Sequence, residues 1–211
     1  MILETMAAAL ICLDPGHGTL PAVGAQREPI GPGSATTKIK DPGGAAGEAA
    51  IALDIARRTR TLLRRQGYRV AMTRDGPTYG GGNIARARFC NERDAALMLR
   101  IHADSSTDSS LRGIHTLYPA LRRGWTDDVY GPSVRAARLL QRSLVRSTGA
   151  RDLGLHRRSD LTGFNWADVP VVLVEAGFLS NATERGLLRT PAYRGRVATG
   201  LAAGVAAFTR P

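Results

Sequence analysis

The segment LICLDPGHGTL, residues 10–20, contains the change of pattern from which the fold can be inferred. Its first four residues are apolar, which is typical of a buried strand. Asp14, Pro15 and Gly16 then end the strand, and His17 stands between two glycines. Glycines beside a histidine indicate a backbone that is shaped for close approach or for a positive φ. We therefore predict a buried first strand that ends at a functional loop histidine.

Apolar runs alternate with amphipathic segments along the rest of the chain. Helical spacing and end signals predict helices over residues 48–66, 84–95, 132–148, 181–189 and 191–209. Short apolar or alternating runs predict further strands over residues 68–73, 97–102, 113–118 and 169–175. This alternation predicts an α/β fold: a single domain with a twisted, mostly parallel central sheet that is flanked by helices on both faces.

Some segments carry no regular pattern. Residues 1–8 are interpreted as an N-terminal extension or a leftover of the expressed sequence, and residues 9–211 as the one folded domain. Residues 19–47 are rich in Gly, Pro, Ser and Thr and are predicted to be a loop. Loops of this length are usually functional or mobile, so we expect it to shape a substrate groove. The polar stretch around residues 153–155 predicts neither a helix nor a strand.

The charge balance is strongly basic, because 29 basic residues face 18 acidic ones and the net charge is +11. Such a balance favours a polyanionic partner: nucleic acid, an anionic membrane surface or a cell-wall polymer. No recognition motif accompanies the charge, so specific nucleic-acid binding is not expected.

The sequence has no uninterrupted run of 18 apolar residues, so no membrane span is expected. The first residues leave no room for a signal peptide, which indicates another route or a missing leader.

The two cysteines, Cys12 and Cys90, lack the CxxC spacing of a cysteine zinc site. Each lies in an apolar periodic segment, and we expect each to pack as a small hydrophobic side chain. A disulfide between them is the alternative that the sequence leaves open.

Polar residues with acid–base or metal-binding capacity follow the apolar runs. His17, His102 and Glu175 each stand at the end of a predicted strand, and Glu48 opens the first long helix. The carboxyl ends of parallel strands line one edge of a sheet, where ligands bind. Helix amino ends usually face that same edge. We therefore expect these four side chains to converge.

Two histidines and a carboxylate are a standard donor set for a catalytic zinc ion, with water in the fourth position. Such an ion lowers the pKa of water and polarises a carbonyl group. A further carboxylate can take the proton of the water and pass it to a leaving amine. We assign His17, Glu48 and His102 as ligands and Glu175 as the catalytic base.

Four further residues, two aspartates and two histidines, could also contribute to the site. Asp14 and Asp104 are candidates that would orient a ligand histidine from behind, although either could simply cap a turn. His115 and His156 fall outside the pattern and are interpreted as structural or surface residues. A substrate contact remains the alternative for His156.

Four motifs in order resemble one family. They are LDPGHG at 13–18, the helix start GEAAIALDIARRTRTLLRRQGYRVAMTRD at 47–75, CNERDAALMLRIHAD at 90–104 and VPVVLVEAGFLSNATE at 169–184. They are similar to the zinc-dependent N-acetylmuramoyl-L-alanine amidases of bacterial cell-wall turnover. The resemblance extends from Leu10 to the C-terminus and implies that residues 9–211 are an amidase catalytic domain.

The resemblance also implies a chemistry. One Zn²⁺ would be held by His17, Glu48 and His102, with Glu175 as the catalytic glutamate. The bond cut would be the amide between the lactyl group of N-acetylmuramic acid and the L-alanine of the stem peptide. The substrate would be peptidoglycan or a muropeptide, and we expect a monomer. It would act in the cell wall or elsewhere outside the cytoplasm, or as a phage lysin released at lysis.

The chain departs from the family pattern at two places. Ala49 stands where the family commonly has Lys, and Arg100 stands in a strand where it often has Ser. The sequence offers no account of Arg100 beyond pairing with an acidic neighbour. Ten residues separate His102 from Gly113, which leaves no room for an inserted helix that would plug the site. We therefore expect an open site.

Two other functions stay open at this point. The first is a zinc hydrolase that acts on another amide, such as a peptidase or deacetylase, which would share the metal and the base. The second is an inert binding or regulatory domain, against which the presence of all four chemical residues argues.

Overall fold

The computed structural model describes residues 8–210. Its strands are β1 (Leu10–Pro15), β2 (Arg27–Pro29), β3 (Thr37–Ile39), β4 (Arg69–Met72), β5 (Leu97–Asp104), β6 (Ile114–Pro119), β7 (Asp152–Arg158) and β8 (Val171–Phe178). Its helices are α1 (Pro21–Gly24), α2 (Glu48–Arg65), α3 (Asn83–Asn91), α4 (Tyr130–Thr148), α5 (Thr162–Asn165), α6 (Ala182–Arg189) and α7 (Pro191–Thr209).

Six of these strands form one central sheet in the order β4-β1-β5-β8-β6-β7. Strands β4, β1, β5 and β8 are parallel, whereas β6 runs antiparallel to β8 and β7 runs parallel to β6. The register places Asp14 beside Arg100 and His102 beside Glu175. The predicted α/β fold with a mostly parallel sheet is confirmed.

The two faces of the sheet pack against different helices. On one face, Ile11 and Leu99 pack with residues of α2, α4 and α7. On the other face, Cys12 and Met98 pack with Phe164 of α5 and with residues of α3. The faces alternate because successive side chains of a strand point in opposite directions. Burial on both faces explains why the strand sequences are nearly continuous apolar runs.

Helix α2 determines where Glu48 lies. Its buried residues include Ile51, Ile55 and Leu63, whose spacing places them on one stripe that packs against the sheet. Glu48 stands in the first turn, where the positive end of the helix dipole favours a carboxylate. Gly67 follows the last turn with a φ of 90° and turns the chain towards β4. The first residue of α2 thereby lies at the carboxyl edge of the sheet.

Residues 19–47 were predicted to be a loop, and that prediction is wrong in part. The segment contains α1 and the antiparallel hairpin β2–β3. The buried carboxylate of Glu28 accepts hydrogen bonds from the amides of Asn83 and Ile84, at the start of α3, at 2.8 and 3.2 Å. The Trp166 Nε1 donates to the Pro29 carbonyl at 3.0 Å. These long-range partners fix the hairpin, and no local periodicity would indicate them.

The polar stretch around residues 153–155 forms β7, which the sequence did not predict. This strand lies at the edge of the sheet and, among the strands of residues 8–210, pairs only with β6, so several of its side chains are exposed. Backbone pairing with one neighbour needs no apolar run.

The segment between β5 and β6 contains no inserted helix, as expected, because residues 105–113 form neither helix nor strand.

Cys12 and Cys90 form a disulfide that joins β1 to α3 across 78 residues of sequence. Our expectation of two separate hydrophobic side chains is therefore wrong about the bond, although both residues are fully buried as predicted. Such a distance in sequence gives no local sign of pairing.

Within residues 8–210, no helix is long and apolar enough to cross a membrane. The proposed extension at residues 1–8 falls outside the described residues except for its last position.

The disulfide generates a stability prediction. The double variant Cys12→Ala/Cys90→Ala should lower the free energy of unfolding by about 2–5 kcal/mol, because the bond closes a long loop in the unfolded chain. Urea denaturation of both proteins in non-reducing buffer measures the difference. In buffer that keeps thiols reduced, most of the difference should vanish. Equal stability of the two proteins without reductant would contradict the prediction.

Candidate metal centre

Three predicted ligands come together at the carboxyl edge of the sheet. His17 follows β1, Glu48 opens α2 and His102 lies in β5, and one potential ligand atom of each lies within 4.8 Å of the others. The Glu48 Oε1 is 3.0 Å from the His17 Nε2 and 2.9 Å from the His102 Nδ1. Two imidazole nitrogens thus converge on one carboxylate oxygen. This group could hold a metal ion.

His17 is oriented by a residue that the sequence did not identify. The His17 Nδ1 lies 2.6 Å from the Asp41 Oδ1. The Asp41 carboxylate also accepts hydrogen bonds from the amides of Thr19 and Gly43 at 3.2 and 2.9 Å. A carboxylate behind a histidine fixes the ring and its tautomer, which leaves the other nitrogen free for a metal. Asp41 lies in the segment predicted to be a loop, and neither periodicity nor a strand end marks it.

The electrostatics of the group favour a cation. Burial alone would lower the pKa of His17, but hydrogen bonds to Asp41 and Glu48 outweigh it and raise the pKa to about 9. Burial opposes ionisation of Glu48 too, yet hydrogen bonds from His102 and His17 hold the pKa of its carboxyl well below the ordinary range. Both nitrogens of His17 therefore face carboxylate oxygens. A metal ion between the nitrogens and Glu48 would replace the proton that this arrangement stabilises.

His102 is held differently. Burial lowers its pKa, against the opposing effect of Glu48. Its Nε2 is buried and has no hydrogen-bond partner in the described part of the chain. A Cβ atom on Gly16 would overlap the His102 ring, so the glycine before His17 is needed for the close approach of the two segments. The neutral form that burial favours is the form in which histidine binds a metal.

The loop after β1 has an unusual backbone that two buried arginines hold in place. His17 has a φ of 55°, a left-handed conformation that few non-glycine residues adopt. Arg74 donates to the carbonyls of Pro15 and Gly16 at 3.1 and 2.7 Å. Arg86 donates to the carbonyls of Pro15 and His17 at 2.9 and 2.7 Å. These bonds satisfy carbonyl groups that a buried turn would otherwise leave unpaired.

Asp14 was predicted as a candidate to orient a histidine, and it has a different set of contacts. This fully buried carboxylate accepts from Arg86 at 2.7 Å, from Arg100 at 2.8 Å and from Thr73 at 2.6 Å, with no histidine contact among the described residues. Although burial raises it, the two guanidinium groups hold the pKa of Asp14 well below its usual range. Asp14 is therefore the acidic neighbour that accounts for Arg100 in a strand.

Asp104, the other candidate, contacts a histidine outside the predicted ligand set. Its Oδ2 lies 3.4 Å from the His115 Nε2, and its Oδ1 accepts from the amide of Ser105 at 2.7 Å. His115 is buried in β6, whereas His156 is exposed and its Nε2 lies 3.1 Å from the Leu153 carbonyl. The two histidine rings pack edge to face at 5.1 Å.

Glu175 stands in β8 between His102 on β5 and His115 on β6. Its Oε2 is buried and makes no hydrogen bond to any described residue. Burial raises the pKa of Glu175 well above its ordinary value, and the carboxylates of Asp104 and Glu48 add to the effect. An unpaired carboxyl group with a raised pKa is suited to proton transfer near neutral pH.

Two depressions meet at the ligand group. One, of about 420 Å³, is lined by Glu175 and Glu48, and the other, of about 500 Å³, is lined by Arg100. His17 and His102 line both. A bound substrate can therefore extend to either side of the group while its central bond lies against the histidines.

An edge-of-sheet cluster of two histidines and a glutamate beside a free carboxyl group is typical of metal-dependent hydrolases. The sequence profile of the Amidase_3 family, described as N-acetylmuramoyl-L-alanine amidase, matches residues 11–207. The chain belongs to this family.

Individual relatives agree with the family match. The chain is 30% identical to the N-acetylmuramoyl-L-alanine amidase Rv3717 of Mycobacterium tuberculosis, over 96% of this chain and 87% of that protein. The crystal structure of the amidase Ami1 from Mycobacterium smegmatis superposes with a TM-score of 0.86 at 32% identity, covering 96% of this chain and 97% of that one. The apo form of Ami1 from Mycobacterium abscessus superposes with the same TM-score at 30% identity, covering 97% and 100%.

The contact between Asp41 and His17 generates a prediction about metal affinity. Asp41→Asn should weaken Zn²⁺ binding about 10- to 100-fold, because the ring loses the carboxylate that orients it. Competition with a chromophoric chelator measures the affinity. Asp160→Asn is the matched control, since Asp160 lines the neighbouring cavity but pairs with Lys38 and Arg158. The same affinity in the Asp41 variant and the parent protein would exclude the orienting role.

Proposed function

We propose that this protein hydrolyses the amide bond between N-acetylmuramic acid and the L-alanine of the stem peptide in peptidoglycan, with one Zn²⁺ as cofactor. The observation that carries the proposal is the convergence of His17, Glu48 and His102 beside Glu175, whose Oε2 is buried and has no partner among the described residues. Membership of the amidase family supplies the substrate class.

His17, Glu48 and His102 are the residues that would hold the zinc ion. When bound, the ion supplies a Lewis acid that polarises a carbonyl group and makes water more acidic. Asp41 fixes the His17 ring so that its Nε2 faces the site, and the Gly16 backbone supports the ring of His102. Helix α2, strand β5 and the turn after β1 each supply one of the three residues.

Glu175 is proposed as the group that moves the proton. Its carboxylate accepts a proton from water as the water attacks the scissile carbonyl, and then gives it to the nitrogen of the departing alanine. A carboxyl with a raised pKa holds that proton between the two steps more readily than an exposed glutamate would. Because its Oε2 has no partner among the described residues, no existing hydrogen bond must break first.

Peptidoglycan as the proposed substrate implies where the protein would act and what it would contact. The protein would act outside the cytoplasm on peptidoglycan, as a monomer whose residues 9–211 form the catalytic domain. The net charge of +11 would attract it to an anionic wall, with an effect that weakens as salt increases. A phage-type lytic role uses the same chemistry.

Analysis of the products tests the proposed reaction. Purified sacculi digested with the zinc-loaded protein should release intact stem peptides and leave glycan without peptide, as measured by mass spectrometry. A peptidase would release shortened stems, and a deacetylase would leave the stems attached. Either of those products, or none, would contradict the proposal.

The role of Glu175 generates a prediction about turnover. Glu175→Gln should retain stoichiometric zinc but lower kcat by about 10²- to 10⁴-fold, the usual contribution of a positioned acid–base group. Dye release from labelled sacculi and elemental analysis measure the two quantities. Glu92→Gln, at an exposed position, is the control and should leave both unchanged. Full turnover in the Glu175 variant would remove that residue from the mechanism.

The raised pKa of Glu175 generates a prediction about stability and pH. A carboxyl with a folded-state pKa above its ordinary value of 4.5 contributes stability below that value, which is lost as pH rises through the folded-state pKa. In the metal-free state, Glu175→Gln should therefore be more stable than the parent protein at pH 8. The difference should shrink towards pH 4. Thermal unfolding with a chelator across this range measures it, and a constant difference would contradict the burial effect.

A further inference from the structure

The cavity on the Arg100 side of the metal centre has the size of a ligand site. Its volume of about 500 Å³ is within the range of pockets that hold small molecules or short peptides. Its walls come from the hairpin β2–β3, the start of α3 and the start of α5, and it reaches His17 and His102. A substrate whose scissile bond lies at the metal centre therefore places an adjoining group in this cavity.

The lining of this cavity is predominantly cationic. Five basic side chains face two acidic ones; they are Arg27, Lys38, Lys40, Arg86 and Arg100 against Asp41 and Asp160. Most of this charge is already engaged. Lys38 pairs with Asp160 at 2.8 Å, Arg27 donates to Thr37 at 2.8 Å, and Arg86 donates to Asp14 and to loop carbonyls.

Arg100 differs from the other basic residues because it is buried and incompletely paired. It is 4% exposed, its Nε donates to the Asp14 Oδ2 at 2.8 Å, and its Nη2 donates to the Asn83 Oδ1 at 2.6 Å. Its Nη1 makes no hydrogen bond to any described residue, although the side chain lines the cavity. A buried guanidinium group with unused N–H donors favours an anionic acceptor, and a carboxylate suits it best.

The backbone of α5 leaves room for this unused group. A Cβ atom on Gly163 would overlap the Nη1 of Arg100, so glycine is the residue that lets the guanidinium lie against the helix. Asp14 and Asn83 hold the other two nitrogens, which fixes the plane of the group. The free donor therefore has one orientation before any ligand arrives, and little entropy is lost when it binds.

The structural pairing with Asp14 accounts for the Nε of Arg100 but leaves its Nη1 without a role. Asp14 already accepts from Arg86 at 2.7 Å and from Thr73 at 2.6 Å. Resting on the proposed function, we propose that Arg100 is a specificity-determining residue that binds a carboxylate of the stem peptide next to the scissile bond.

Two matched substrates test the assignment. Both are muramoyl tripeptides of one sequence, and their second residue has a carboxyl group that takes no part in the peptide linkages. This group is a free carboxylate in one substrate and a carboxamide in the other. The zinc-loaded parent protein should cleave the carboxylate form with a kcat/KM about 10- to 100-fold higher, mainly through a lower KM. Equal kcat/KM values would overturn the assignment and leave the proposed function intact. Cleavage of neither substrate would overturn both.

Variants test whether Arg100 causes the preference for the carboxylate substrate. Arg100→Gln should lose the preference, so that the ratio of kcat/KM for the carboxylate form to kcat/KM for the carboxamide form falls about 10- to 100-fold. Gly163→Ala should reduce the same preference by displacing the Nη1. Thr73→Val is the control, because it removes another hydrogen bond of Asp14 without lining the cavity, and it should keep the preference. A parent-like preference in Arg100→Gln would overturn the assignment.

Direct binding provides a readout that does not depend on turnover. Isothermal titration of the metal-free protein with L-alanyl dipeptides that differ only in the same carboxylate or carboxamide should give tighter binding of the carboxylate form. If Arg100→Gln fails to fold, this comparison in the parent protein and in Gly163→Ala still decides the question. Identical affinities in the parent protein would overturn the assignment.

Discussion

The rest of the site depends on one buried interaction, the pairing of the Asp14 carboxylate with Arg86 and Arg100. Arg86 also donates to the carbonyls of Pro15 and His17, so the charge in the core fixes the backbone that presents the histidine. Removing the carboxylate that both guanidinium groups share would leave buried positive charge uncompensated, a change that typically costs about 3–5 kcal/mol. The sheet, the turn after β1 and the cavity beside the ligands therefore share one electrostatic centre.

The elements around this buried pairing supply different parts of the site. The strands and α2 bring the ligands to one edge, which is a property of the α/β architecture. The hairpin and the residues that follow it supply Asp41 and one wall of the cavity. Glu48, His102 and Glu175 thus lie on regular elements, whereas His17 and the surroundings of the group come from connecting segments, which can vary without disturbing the sheet.

Most of the fold and the ligand group could be predicted from the sequence, since apolar runs ending in polar residues are local signals. His17, His102 and Glu175 each follow such a run, and helical spacing after Glu48 places that residue at a helix start. Asp41, the hairpin and β7 could not be predicted, because each depends on partners that are distant in sequence. For the same reason the disulfide stood only as an alternative and the contacts of Asp14 were not predicted: folding brings these groups together from distant parts of the sequence, and no local motif indicates it.

The order of the strands has a consequence for how the protein matures. β1 lies between β4 and β5, and the three ligand residues are separated by 31 and 54 positions, so the centre consists of non-local contacts. Topologies of this kind fold comparatively slowly, because distant segments must meet before they are stabilised. A nascent chain without β5 lacks His102, and the full donor set exists only when the sheet is complete. The proposed zinc ion would therefore bind tightly only late in biosynthesis, and it would mark chains that have finished folding.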